Sequence, residues 1–143
     1  MDTRHVARAS VDVDAPTGEV WNALVTPETI EKYMFGAKVV SDWKEGSPIV
    51  WMGEWKGKSY EDKGEILRLE PQRVLQYSHY SPLSGQPDAP ESYHTVTIEL
   101  AQTRDGQTRV SLTQDNNPSA EAREHSEKNW AAMLDGLKKV VEH

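Results

Sequence analysis

The sequence predicts an α+β fold in which a seven-stranded, curved antiparallel sheet wraps a long C-terminal helix, with two short helices between strands 1 and 2. Three observations carry this. Residues 37–115 read as strands separated by short turns. From Asn117-Pro118-Ser119 onward the apolar residues switch to helical spacing. One strand and two short helical stretches precede both. A sheet and one long helix can bury both apolar faces only if the helix lies across the sheet, and a twisted sheet around a helix can enclose a cavity.

The first strand spans residues 6–14, where Ala7, Ala9, Val11 and Val13 share one face and Arg8, Ser10 and Asp12 the other. Pro16 or Thr17 starts the first helix, whose stripe is Val20, Trp21, Leu24 and Val25. Thr26-Pro27 breaks it, and a second short helix ends near Tyr33. Six strands follow, at 37–41, 48–55, 59–69, 74–80, 92–101 and 108–115. Glu45-Gly46, Lys56-Gly57, Glu70-Pro71, Ser84-Gly85 and Asp105-Gly106 supply the turns. Short links between sequential strands mean an antiparallel meander. Asn117 or Ser119 can cap the last helix, with Pro118 in its first turn. Its inward stripe is Ser126, Trp130, Met133, Leu134, Leu137, Val140 and Val141.

With 143 residues, the chain is expected to be a single domain over 1–143. A net charge of -7 and the lack of a clustered cationic face argue against nucleic acid and against an anionic membrane surface. No apolar run approaches the roughly 20 residues of a membrane span. Met1-Asp2-Thr3-Arg4-His5 carries no apolar signal core, so the cytoplasm is the expected compartment. Zero Cys removes disulfides, thiol catalysis and Cys-ligated metals. No phosphate loop, nucleophile elbow, dinucleotide turn or short metal motif is present, so no cofactor and no metal are expected.

The turns fix an expected register. Centring a loop on Arg104-Asp105-Gly106 sets Leu100 against Val110, Ile98 against Leu112, Val96 against Gln114 and His94 against Asn116. Opposing Tyr80 with Tyr93 sets Leu75 against Ile98, Tyr77 against Val96 and His79 against His94. A loop at Pro71-Gln72-Arg73 sets Leu69 against Leu75, Leu67 against Tyr77 and Glu65 against His79. The inner face then grades from a row of Leu69, Leu75, Ile98 and Leu112, through Leu67, Tyr77, Val96 and Gln114, to Glu65, His79, His94 and Asn116. Trp51 and Trp55 extend it, Met34 and Phe35 close its mouth, and Trp130 and Met133 face it from the helix.

These residues resemble a known family. Ala15-Pro16, Glu19-Val20-Trp21-Asn22-Ala23-Leu24, Pro27-Glu28 and the stretch from Ser41-Asp42-Trp43 through Gly46-Ser47-Pro48-Ile49 carry the resemblance. Gly64, Thr108-Arg109-Val110-Ser111-Leu112-Thr113, Asn129-Trp130 and Gly136-Leu137-Lys138 extend it over nearly the whole chain. The chain resembles the START-like helix-grip superfamily, and within it the bacterial proteins similar to the C-terminal domain of the heat-shock protein 90 ATPase activator. That resemblance implies a helix-grip fold. It implies as functions lipid or hormone carriage, polyketide cyclisation or a chaperone partnership. Many relatives carry Gly where this chain has Asn129, whose amide can reach the pocket or solvent.

The leading expectation is a binding protein without turnover, taking a small, largely apolar ligand between the sheet and the last helix. Its expected contacts are Met34, Phe35, Trp51, Trp55, Glu65, Leu67, Tyr77, His79, His94, Val96, Gln114, Asn129 and Met133. The alternatives are a chaperone-associated module, or a cyclase- or hydrolase-type enzyme using Glu65, His79 and His94. A monomer or a homodimer fits equally.

Overall fold

The computed structural model describes residues 5–34, 36–55, 57–82, 87–104, 106–117 and 119–142. Chain order is β1 (Ala7–Val13), α1 (Thr17–Val25), α2 (Pro27–Tyr33), β2 (Lys38–Ser41), β3 (Pro48–Trp55) and β4 (Lys58–Glu70). Then come β5 (Val74–His79), a single 3-10 turn (Pro90–Ser92), β6 (His94–Arg104), β7 (Gln107–Gln114) and α3 (Ala120–Glu142). One seven-stranded sheet runs β1-β7-β6-β5-β4-β3-β2, every pair antiparallel. This is the curved sheet and long C-terminal helix that the turn and stripe pattern predicts.

The two strands farthest apart in sequence close the meander. β1 pairs with β7 from Ala7↔Gln114 to Val13↔Thr108, so the alternation read in β1 points Ala7, Ala9, Val11 and Val13 inward beside Val110 and Leu112. Arg8, Ser10 and Asp12 face outward. The β5–β6 and β6–β7 registers match the expectation at Leu75↔Ile98, Tyr77↔Val96, His79↔His94, Ile98↔Leu112, Leu100↔Val110 and Val96↔Gln114.

A corner of hydrogen bonds sets the angle at which α3 leaves the sheet. Asn117 is buried; its amide donates to the carbonyls of His5 at 2.7 Å and Gln114 at 3.1 Å. Its Oδ1 accepts from the Ser126 hydroxyl at 2.9 Å. Ser119 Oγ accepts from Ala122 N–H at 3.1 Å, a first-turn cap, so of the two expected capping residues Ser119 caps and Asn117 staples. Met133, Leu134 and Leu137 then bury their side chains in the core with Val20 and Leu24 of α1 and Ile30 and Tyr33 of α2.

Candidate ligand-binding site

The inner face is built outward from β3 and β5. Alternation in β3 buries Ile49 and Trp51. Their neighbours across the sheet are Leu75 and Tyr77 of β5, with Val96 and Ile98 of β6 beyond. The Trp51 and Tyr77 rings lie 5.0 Å apart between centroids, tilted by 50°. Burial pushes the phenols of Tyr33 and Tyr77 far above their ordinary range, so both stay neutral. The Tyr33 hydroxyl donates to the Ala23 carbonyl at 2.8 Å.

Between α2, α3 and this aromatic floor lies a void of about 20 Å³. Met34 and Met133 line it along with Trp43, Trp51 and Tyr77, and almost all of its surface is apolar. That volume holds one water molecule and no organic ligand. The open cavity expected between sheet and helix is therefore reduced to a remnant, because methionine and tryptophan side chains fold into it. Trp43 does so from a strained backbone: its φ is 55°, a left-handed value rare for a bulky residue, and its N–H donates to Ser41 Oγ at 3.0 Å.

The register of β4 departs from expectation, and this moves two predicted contacts. Leu69 faces Leu75 as predicted, but Ile66 faces Tyr77, with a register shift between Ile66 and Arg68. The extra residue of that bulge is Leu67, which turns outward and is 41% exposed. Glu65 shifts outward with it; its N–H donates to Ser78 Oγ at 3.0 Å, and its side chain lines an open groove on the outer face. Leu67 and Glu65 are thus corrected from the inner to the outer face, and the trio of Glu65, His79 and His94 does not assemble.

Gly64 stands opposite His79, where Glu65 was expected, and Asp62, two residues away on the same face, supplies the carboxylate instead. Asp62 pairs across the strands with Trp51, so both side chains share the inner face. His79 Nε2–H donates to Asp62 Oδ2 at 3.0 Å. The His79 ring meets the Trp51 ring edge-on at 5.0 Å, and the His94 ring lies 6.3 Å beyond. His94 Nδ1–H donates to the Asp115 carbonyl at 2.9 Å. Carbonyl and carboxylate oxygens only accept, so these two bonds set the proton positions on both rings. The signal that finds Asp62 is the adjacent apolar pair Ile66-Leu67: two in a row break the alternation and mark where the phase changes. Among the described residues no group of three ligating side chains is placed to hold a metal ion.

The remaining predicted contacts divide cleanly. Val96, Gln114 and Met133 are buried; Gln114 Oε1 accepts from the Trp130 indole N–H. Asn129 is exposed on α3, so its amide points to solvent. Phe35 and the Trp55 side chain lie outside the described residues. No helix among the described residues is long and apolar enough to cross a membrane.

Residues 14–142 match the family described as activator of Hsp90 ATPase homolog 1-like protein. The solution structure of a Cytophaga hutchinsonii protein is similar at 57% identity and a TM-score of 0.84, over 97% of this chain and 94% of that one. The Chromobacterium violaceum protein CV1439 shares the fold at 23% identity and a TM-score of 0.78, over 97% and 98% of the two chains. An Aha1 dimer from Colwellia psychrerythraea shares it at 20% identity and a TM-score of 0.73, over 96% of each chain. Among curated proteins none matches the chain.

Proposed function

We propose, from the premise that the chain belongs to the activator of Hsp90 ATPase homolog 1-like family, that it binds a small, largely apolar ligand between α2, α3 and the Trp51–Tyr77 floor. The observation that carries this reading is the apolar remnant void with a methionine on each side, Met34 from the end of α2 and Met133 from α3. Methionine has three rotatable bonds and a polarizable sulfur, so a wall built from it repacks at low cost. Turning Met34 and Trp43 outward would widen the void, and relieving the left-handed backbone at Trp43 would offset part of the cost of opening. Affinity would come from apolar burial, at about 25 cal/mol per Å² before the costs of association.

The test is an NMR titration with indole and 2-phenylethanol, read at the Trp51 indole, the Tyr77 ring and the Met34 and Met133 methyls. Saturable shifts centred on these groups are expected, and Met133→Ala, which enlarges the void, should strengthen binding. Silence at all four groups up to millimolar probe, in both proteins, would remove the ligand reading.

The small size of the void favours a second reading, a chaperone-associated module that acts through its surface. It predicts that adding the chain changes the ATPase rate of purified heat-shock protein 90. An unchanged rate excludes it.

A further inference from the structure

We propose that Asp62, His79 and His94 form the polar end of this ligand site and select a primary ammonium group carried on an apolar, preferably aromatic, body. The inference rests on the ligand reading above and adds the chemical class of the ligand.

The argument is a count of hydrogen-bonding capacity. His79 uses its N–H on Asp62, which leaves Nδ1 as an acceptor. His94 uses its N–H on Asp115, which leaves Nε2 as an acceptor. Asp62 Oδ1 is buried and accepts no hydrogen bond among the described residues. With both rings neutral, three acceptors therefore lie at one end of the inner face with no donor assigned to them among the described residues. A buried, unpaired carboxylate oxygen costs about 1–3 kcal/mol or more, so an arrangement that keeps one is suited to a partner that supplies the donor. The two imidazole rings, 6.3 Å apart, are too far for a direct bond. A primary ammonium offers three N–H donors and the charge that Asp62 complements.

The walls fit the same class. Trp51 stands opposite Asp62 across the β3–β4 pair, and Tyr60 stands opposite Gly53 on that face. The Tyr60 hydroxyl lies over Gly53, where a Cβ would come within 2.6 Å of it. Tyr60 is close enough to Asp62 for the carboxylate to raise its phenol, after the larger effect of burial. Aromatic faces around a carboxylate attract organic cations. Trp51 also lines the void, so once Met34 and Trp43 turn outward one molecule could place its body there and its head at Asp62. A competing feature is Arg123, whose Nε is buried without a partner among the described residues. It lies seven residues before Trp130, on the same side of α3, and would instead favour an anionic head group.

The experiment titrates the full chain with 2-phenylethylammonium, 2-phenylethanol and 3-phenylpropanoate in mildly alkaline buffer, following the Trp51 indole and the His79 and His94 ring signals. The ammonium should bind at least about tenfold more tightly than the alcohol, and the carboxylate most weakly. Asp62→Asn should erase the preference for ammonium over the alcohol. His94→Gln should weaken the ammonium several-fold. Circular dichroism establishes that each variant is folded, and His79→Gln serves as the replacement if Asp62→Asn is not. Equal binding of ammonium and alcohol, tightest binding of the carboxylate, or a preference that survives in a folded Asp62→Asn protein would overturn the proposal while leaving the apolar-ligand reading intact. No binding of any of the three overturns both.

Discussion

The two ends of the inner face are made by the same strands and differ in almost every physical respect. At one end Leu75, Ile98, Val110 and Leu112 pack against Leu134 and Leu137 of α3, all essentially inaccessible to water and free of polar atoms on their side chains. At the other end His79 and Asp62 keep 27% and 15% of their side chains exposed, and a carboxylate oxygen is left without a donor. The apolar end holds the fold together, and the proposed ligand selection falls to the polar end. A buried polar group without its partner is an exception that calls for an explanation, and the proposed ligand supplies one here.

The sharpest way to break that division is to damage the apolar end. Leu137 is 0% exposed. Leu137→Ala should cost about 2–5 kcal/mol, the transfer loss of the side chain plus the cavity left behind, read as a lower denaturant midpoint with an unchanged slope. A cost below about 1 kcal/mol would mean that this end does not anchor the fold.

The next largest effect falls where the ends meet the bulge. Gly64 sits where a Cβ would lie 1.7 Å from the Ser78 carbonyl oxygen, which is backbone and cannot turn aside. Gly64→Ala should therefore separate β4 from β5 locally, at a cost of about 1–3 kcal/mol, and loosen the Asp62–His79 contact beside it. Hydrogen exchange at Lys63 and Tyr80, whose amides bond across this pair, reports the separation directly. Unchanged protection at both amides would show that the close approach is not enforced.

Asp62→Asn should disturb stability least among changes to the interior. The side chain keeps its shape and its oxygen can still accept from His79; the amide lowers the cost of burying a charge but gives up the charged contact and leaves an unpaired donor in place of the unpaired oxygen. These effects oppose each other, so the midpoint should stay within about 1 kcal/mol of the parent. A loss as large as that of Leu137→Ala would make the polar end a structural element rather than a site.

This contrast also explains what the sequence revealed. The apolar rows were legible because β7 and the inner half of β6 alternate, the turn read at Arg104-Asp105-Gly106 sets the β6–β7 register and the opposition of Tyr80 and Tyr93 sets that of β5–β6, so Ile98↔Leu112 and Tyr77↔Val96 follow from counting. His79 and His94 were placed together by the same count. Counting failed at Leu67, where one inserted residue reverses the phase of β4 and exchanges Glu65 for Asp62. Nor does alternation report how Met34 and Trp43 fold into the void; that depends on rotamers and on the left-handed backbone at Trp43, which leave no mark on periodicity.

The smallest effects belong to the outer face, and pH separates them from both interior ends. Arg109 donates to both carboxylate oxygens of Asp12, at 2.8 and 3.3 Å, and this hydrogen bonding holds Asp12 below the ordinary carboxylate range. Lys138, followed by the Asp14 N–H, does the same for Glu142. A carboxylate whose folded pKa is depressed adds stability above its unfolded pKa and loses it as pH falls through the folded value. Arg109→Ala should therefore lower the denaturation midpoint marginally at neutral pH, and the difference from the parent should vanish once Asp12 is protonated, well below about pH 4. Added salt should shrink the same difference at neutral pH, because the pair is exposed and screened. Leu137→Ala, by contrast, should keep its penalty wherever the fold persists, since no charge enters it. A penalty for Arg109→Ala that survived both acid and salt would mean that the arginine acts through packing of its stem, and the ion pair would drop out of the account.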